Sequence, residues 1–459
     1  MTSTNAPEAD IVVIGAGPAG MAAACEARKL GLDVVLLDEQ SAAGGQIYRN
    51  VHAAPASRLN VLGPDYEAGQ RLAADYRSSG TRHLDGAVVW SITSNGEVEY
   101  VADGRAARIV GRRVVLASGA MERPFPIPGW TLPGVMGAGA AQILLKGSGA
   151  LPTGPVVLAG CGPLLYLLAW QYIRAGTAIR ALVDTTATSD YLRAAPRIGG
   201  ALRGWKDLRK GLDLLSALRR HGVKVHPSCS ELSIAGEDRA EAIEFTSRGA
   251  RSRIPASLIL IHQGVVPNTQ LSWSVGAEHR WNVEQLCWEP ITDDWGRIPG
   301  TALLVAGDSR GIVGALASAA QGRLAALAAG DDLGRVDDLP SRSATARKDL
   351  RRHTRIRPFL DALYRPKDEN RIPPKDDAVV CRCEEVTAGQ IRRYVELGCR
   401  GPNQTKAFGR CGMGPCQGRL CGLTVTETIA AARNVPPEDV GYYRIRPPIK
   451  PVLLGDFTG

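Results

Sequence analysis

The stretch Asp10-Ile11-Val12-Val13-Ile14-Gly15-Ala16-Gly17-Pro18-Ala19-Gly20 decides the fold. Four consecutive β-branched aliphatic residues read as a strand buried on both faces. The glycines behind them keep the spacing G-x-G-x-x-G at the opening of an apolar helix. Gly15 permits the tight turn, Gly17 lets the backbone approach a pyrophosphate, and Gly20 lets helix and strand pack closely. Pro18 and Ala19 occupy the first helical positions, where free amides and the helix dipole favour phosphate. At the end of the next apolar run, residues 34–37, stands Asp38, placed to accept hydrogen bonds from a ribose diol, with Glu39 as the adjacent alternative.

A second strand, turn and helix follow at Pro155, with Gly160-Cys161-Gly162-Pro163-Leu164-Leu165 repeating the turn. Here Leu165 stands where a glycine or alanine would let the helix approach. Asp184 ends the next strand, and no arginine pair follows it to hold a 2′-phosphate. Gly160 and Gly162 remain nucleotide-binding candidates, but the leucine argues against productive NAD(P)H use. That leaves a vestigial fold or a site for another nucleotide. Residues 258–261 and 302–306 read as strands returning to the first sheet.

The expected fold class is α/β: two Rossmann-like dinucleotide-binding domains plus a small, mainly helical C-terminal domain. Residues 1–150 and 265–330 form the first nucleotide domain, 151–264 the second, 331–377 a basic linker with a helix around residues 344–363, and 378–459 the terminal domain and tail.

With 459 residues, 44% hydrophobic and 22% charged, the chain is long enough for several domains and is not extensively disordered. The net charge of +9 is local. Residues 341–376 hold 11 Lys/Arg against 5 Asp/Glu, and residues 191–224 hold 9 against 2. Aromatic residues make up only 5%, and no basic helix is interleaved with them, so a nucleic-acid partner is not expected. Solvated faces or docking surfaces for an acidic protein fit better. Two long uncharged stretches, 124–145 and 155–173, are punctuated by glycine and proline, so no membrane span is expected. The first ten residues lack a basic region and an apolar core, which points to a cytoplasmic protein.

Six of the ten cysteines crowd into the last fifth: Cys381, Cys383, Cys399, Cys411, Cys416 and Cys421. Four soft thiolates in a compact segment suit a [2Fe–2S] cluster or a structural zinc, and spacing alone does not choose between them. No C-x-x-C occurs, which disfavours disulfide-reductase chemistry. Cys161 reads as a buried apolar residue.

Beyond the first turn, Gly44-Gly45-Gln46, the run from Val114 through Ser118 and Gly119 to Ala120, and Gly307-Asp308 resemble the two-dinucleotide-domain flavoproteins of the disulfide-reductase type. The resemblance implies FAD, with Gly45, Gln46, Ser118, Gly119, Gly307 and Asp308 among its contacts. Asp308 would meet the flavin ribityl chain, and the following helix, residues 315–328, would point at the isoalloxazine. Cys381-Arg382-Cys383-Glu384-Glu385-Val386-Thr387, with Gly412 through Cys416 to Cys421, resembles the bacterioferritin-associated-ferredoxin-like [2Fe–2S] domain. That pattern implies Cys381, Cys383, Cys416 and Cys421 as ligands. Cys411 falls outside it and competes for the fourth place, while Cys399 is structural.

As a whole the chain is similar to the A or alpha subunits of heteromeric amino-acid and opine dehydrogenases, relatives of the B subunits of hydrogen cyanide synthases. The similarity implies a partner flavoprotein beta subunit that oxidises the amine, and a small ferredoxin-like subunit in some complexes. It also implies a further FMN at the subunit interface. No catalytic side chain stands out among the seven histidines, although His52 and His262 are placed to line a site. The expected role is electron transfer from an amino acid or opine oxidised in the partner to a quinone, dye or cytochrome. The alternatives are a self-sufficient NADH-dependent reductase and a zinc-bound scaffold subunit.

Overall fold

The computed structural model describes residues 7–457, so the opening residues on which the localisation expectation rests lie, through residue 6, outside the described residues. The first sheet is built around Glu8–Ile14, which pairs in parallel with Val34–Leu37 on one side and Arg105–Leu116 on the other. Arg82–Leu84 extends the sheet beyond Val34–Leu37. The twelve-residue strand Arg105–Leu116 serves two neighbours on its far edge. Its first half pairs with the antiparallel strand Glu97–Ala102, and its last three residues pair with Leu303–Val305, which returns from late in the chain. Ile11, Val12 and Val13 are fully buried, as a strand covered on both faces requires.

The helices Pro18–Lys29 and Ala315–Asp332 cover one face and cross closely. A Cβ on Gly322 would sit 2.0 Å from the carbonyl oxygen of Ala19, so only glycine permits that crossing.

The second sheet is parallel, in the order Val225–His226, Ile179–Asp184, Val156–Cys161, Ile259–Gln263 and Val135–Gly137. Two differences from the expected boundaries follow. Val135–Gly137 pairs with Ile259–Ile261, so the chain enters the second domain before residue 150. The crossing is marked by the two-stranded pair Ala120–Glu122 with Val265–Pro267. Residues 258–261 complete this second sheet, whereas residues 303–305 do return to the first. The C-terminal domain is mainly helical, with helices Ala388–Glu396, Pro402–Gly409 and Gly422–Arg433.

The basic segment 331–377 is not a loose tether. It folds into helices Leu339–Thr354 and Arg357–Leu363, the first opened by Asp338 accepting from the Ser341 amide. Arg323 pairs with Asp349 at 2.9 Å, and Arg347 lies 4.0 Å over the Trp295 ring, fixing the segment against the first domain. Among the described residues no helix is long and apolar enough to cross a membrane.

Candidate functional site

The first glycine turn has the shape of a phosphate cradle. Gly15 sits at φ +105, and a Cβ there would lie 2.5 Å from the Ala117 carbonyl oxygen. Gly20 would clash with the Gly15 carbonyl at 1.8 Å. The helix that begins at Pro18 has Gly17 as its N-cap, no capping side chain and no acid in its first turn, which leaves its terminal amides open to an anion. Gly45 faces Gly17 so closely that a Cβ would lie 2.7 Å from the Gly17 Cα, and two bare backbones meet there.

The acids at the end of the second strand divide the work. Asp38 is buried, with Oδ2 accepting from the Ala16 amide at 2.5 Å and Oδ1 from the Gln40 amide at 2.8 Å. Its carboxylate braces the glycine turn from beneath, and burial raises its pKa against those two hydrogen bonds. Glu39 is exposed and pairs with Lys450 of the C-terminal tail. Open space flanks this loop. A cavity of about 150 Å³ is lined by Ser41, His52, Tyr76 and His83, and one of about 290 Å³ lies between Gln40–Ala42 and Leu144–Ser148.

The remaining expected flavin contacts gather at the same sheet edge. Ser118 and Gly119 are strapped to Asn268: Ser118 Oγ donates to the Asn268 carbonyl at 2.8 Å, and the Asn268 amide donates to the Gly119 carbonyl at 3.0 Å. Gly307 packs on Ala19, where a Cβ would lie 2.8 Å away. Asp308 Oδ1 accepts from the Val313 and Gly314 amides at 2.8 and 2.9 Å, ordering the loop before the late helix. That helix starts at Ala315 with no side-chain cap and no acid in its first turn, so its amides also face the site. Gln46 lies on the opposite wall, where its carbonyl accepts from Lys146 Nζ at 3.3 Å. Asn268 and Lys146 were not singled out from the sequence; only the fold brings residues so distant in the chain together.

The second turn differs in its side chains, although its helix too opens at Gly162 with no side-chain cap and no acid in its first turn. Leu165 is fully buried where the helix should approach the strand. Asp184 is buried, its Oδ2 accepting from the Tyr166 hydroxyl at 2.6 Å and its Oδ1 from the Thr186 amide at 2.8 Å. Tyr364, from the segment after the second nucleotide domain, packs beside Tyr166 with ring centroids 6.4 Å apart, and its carbonyl accepts from Cys161 Sγ. Gly160 must stay a glycine because a Cβ would lie 1.7 Å from the His262 carbonyl oxygen. Beside Gly162 stands the His262 imidazole, buried and bonded through Nδ1 to Glu122 at 2.7 Å. Glu122 also accepts from the Gly139 amide at 3.0 Å.

In the C-terminal domain the thiols come together. Cys381, Cys411 and Cys421 are buried with their sulfurs all within 4.8 Å of one another. Cys383 is exposed and pairs with half-buried Cys416, which also neighbours Cys421. Hydrogen bonds from the Cys411 and Cys421 thiols pull Cys381 strongly down, while the shared proton pushes Cys411 up to about 12. The pattern-based set of four is thus joined by Cys411, which lies nearer the buried pair than Cys383 does. Tyr443 backs it, donating to the Cys411 carbonyl at 3.1 Å. Gly414 leaves room for Cys383, since a Cβ there would lie 2.2 Å from the Cys383 Cβ. Cys399 stands apart and donates to the Gly401 carbonyl. Five soft donors in this space fit a thiolate-bound cluster.

Comparison with known proteins follows the same division. Residues 9–323 match the pyridine nucleotide-disulphide oxidoreductase family, and residues 375–459 match the sarcosine oxidase A3 domain. The A subunit of the opine oxidase of Rhizobium meliloti is 46% identical, covering 98% of this chain and 87% of that protein. The HcnB subunit of the hydrogen cyanide synthase of Pseudomonas protegens is 30% identical over 97% of both chains. The solved L-proline dehydrogenase of P. horikoshii superposes with a TM-score of 0.70 over 98% of this chain and 79% of that one, at 18% identity, which speaks to fold alone. A thioredoxin reductase from T. acidophilum matches 71% of this chain and 99% of its own, with a TM-score of 0.51 at 18% identity. The bare glycine cradle, the strapped Ser118–Gly119 turn and the matches over nearly the full length converge. The chain belongs to the pyridine nucleotide-disulphide oxidoreductase family, as an alpha-type subunit of the heteromeric FAD-dependent oxidoreductases.

Proposed function

We propose that this chain is the FAD and [2Fe–2S] electron-transfer subunit of a dehydrogenase in which a partner flavoprotein oxidises an amino acid or opine. The electrons then pass to a quinone, dye or cytochrome. The observation that carries this reading is the coexistence, in one chain, of an open first nucleotide cradle, a second one whose acid is bonded to Tyr166, and a nest of neighbouring thiols. FAD and the iron–sulfur cluster supply the electron-carrying chemistry when bound; the protein positions them and sets their surroundings.

Gly15, Gly17, Pro18, Ala19 and Gly20 present amides to the pyrophosphate, and Gly45 keeps that approach clear of side chains. Glu39, not Asp38, takes the ribose hydroxyls, because both Asp38 oxygens already serve the backbone. Asp308 holds the loop at the ribityl end, while Ser118, Gly119 and Asn268 wall the sheet edge. Cys381, Cys383, Cys416 and Cys421 hold the cluster, with Cys411 beside the buried pair. To the same reading belong an FMN at the subunit interface and a small ferredoxin-like subunit, as does a cytoplasmic location. Opine oxidation is supported by the three relatives that are A subunits of opine oxidases.

The test is to purify the chain alone and with its partner, without oxygen. The isolated chain should carry visible flavin and iron–sulfur absorbance yet oxidise amino acids and opines poorly. Robust turnover by the chain alone, or a colourless preparation, would contradict the proposal.

A further inference from the structure

The region after Asp184 carries helices Thr188–Ala194, Ile198–Arg203 and Trp205–Arg220. Their inner faces are satisfied. Ala194 and Ala201 pack with Ile356, Phe359, Ala362 and Leu363 of the basic segment, and Leu214 and Leu218 are buried. Gly200 allows the close approach, since a Cβ there would lie 2.6 Å from the Arg355 carbonyl oxygen.

The outer faces are apolar too. Tyr191, Leu192, Ile198, Leu202, Trp205 and Leu212 are all exposed, Leu192 by 72%, Leu202 by 60% and Trp205 by 54%. Ile198 and Leu202 are one helical turn apart, and Trp205 and Leu212 two turns apart, so each pair lies on one face. Six large apolar side chains exposed between Tyr191 and Leu212 are more than the single scattered exposures of an ordinary surface.

The same helices carry an excess of positive charge. Arg193, Arg197, Arg209 and Lys210 have acidic partners, whereas Arg203, Lys206, Arg219 and Arg220 have none among the described residues. Residues 188–220 hold 8 basic against 3 acidic side chains, alongside the exposed apolar ones. The mixture of Trp, Tyr and arginine outnumbering lysine is that of a protein interface, where such residues act as anchors.

Resting on the subunit reading above, we propose that helices 188–220 are the docking surface for the partner subunit, whose contacting face is apolar at its centre and rimmed by Asp and Glu. The partner seats on the outer face of the second nucleotide domain. This gives a purpose to a domain whose acid at the end of the second strand, Asp184, is already bonded to Tyr166.

The experiment uses the native complex. Hydrogen exchange should slow across residues 188–220 in the complex relative to the isolated chain. The surface double variant Leu202→Ser with Trp205→Ala should keep its flavin absorbance and weaken partner binding by roughly thirtyfold or more, as truncation of interface anchors does. Raising salt should weaken wild-type association. A variant that assembles with unchanged affinity overturns the surface and leaves the subunit reading intact. Self-association of the isolated chain through this face overturns the surface as well. Its capture by phosphatidylglycerol vesicles, lost in the double variant, does so too. A wild-type chain that purifies from its host with no second polypeptide overturns both.

Discussion

The hydroxyl of Tyr166 donates to the carboxylate of Asp184 at 2.6 Å, inside the turn where a second dinucleotide would place its ribose. The acid is thereby consumed within the fold, with the Thr186 amide on its other oxygen. Anaerobic titration with NADH or NADPH is expected to leave the flavin absorbance unchanged. Tyr166→Phe should not create pyridine-nucleotide reactivity. It should lower stability by about 1–3 kcal/mol, because the buried carboxylate loses a partner. Stoichiometric bleaching by either nucleotide would sink this prediction and favour a self-sufficient reductase.

Asp38 and Glu39 are expected to fail differently. Glu39→Gln should reduce FAD retention during gel filtration while leaving the melting transition of the apoprotein nearly unchanged, because Glu39 is exposed. Asp38→Ala should destabilise the apoprotein itself by about 1–3 kcal/mol, since the Ala16 amide loses its acceptor in a buried turn. Equal effects of both substitutions on apoprotein melting would count against the division of labour.

Iron and acid-labile sulfide analysis, with electron paramagnetic resonance of the reduced protein, separates the thiols. Cys381→Ala and Cys421→Ala should lose the cluster, whereas Cys399→Ser should keep full iron. Cys411→Ser should keep iron but shift the resonance, because its sulfur lies within 4.8 Å of the Cys381 and Cys421 sulfurs. Zinc in place of iron in every preparation would point to a structural site instead.

Lys146 gives the fold a pH signature. It is buried, donating to Gln142 Oε1 at 2.8 Å and to the Gln46 carbonyl, and burial lowers its pKa to about 7. Above pH 7 the unfolded chain keeps this proton while the folded chain releases it, so stability rises with pH from about 7 towards the ordinary lysine value of about 10.4. Below pH 7 both states are protonated, the slope vanishes and the full cost of burying the charge remains. Denaturant melts across pH 6–10 should show a rise of at most ~1.4 kcal/mol per pH unit from this group. Lys146→Met should remove that rise; an unchanged pH profile in the variant would refute it.

How much of this was legible in the chain depends on locality. The strand, the glycine turn and the apolar helix between residues 10 and 27 impose their geometry through neighbours a few residues away, so pattern sufficed. The thiols were visible for the same reason, as paired residues of one chemistry in a short segment. What stayed hidden depends on contacts across the fold. Asp38 and Glu39 are equivalent in sequence, and only the Ala16 amide, 22 residues earlier, tells them apart. Asn268 reaches Ser118 across 150 residues, and Gly322 looks like any helix glycine until Ala19 is laid against it. In the segment 331–377 the helical run around 344–363 was legible, but not what holds it in place. Its helices are held by Asp349, Trp295 and the alanines of a distant helix pair, none of which a local composition of arginines suggests.

The strand Leu303–Val305 has a consequence for biosynthesis. It closes onto the end of Arg105–Leu116, so the sheet begun near residue 8 keeps a bare flank until residue 305 has left the ribosome. The whole second nucleotide domain can fold during that interval, as domains emerging in order do. Only afterwards does the late helix seat on Ala19 and complete the flavin cradle. Flavin capture is accordingly a late event in the life of the nascent chain, and a pause between residues 265 and 305 would leave an exposed strand edge open to mispairing.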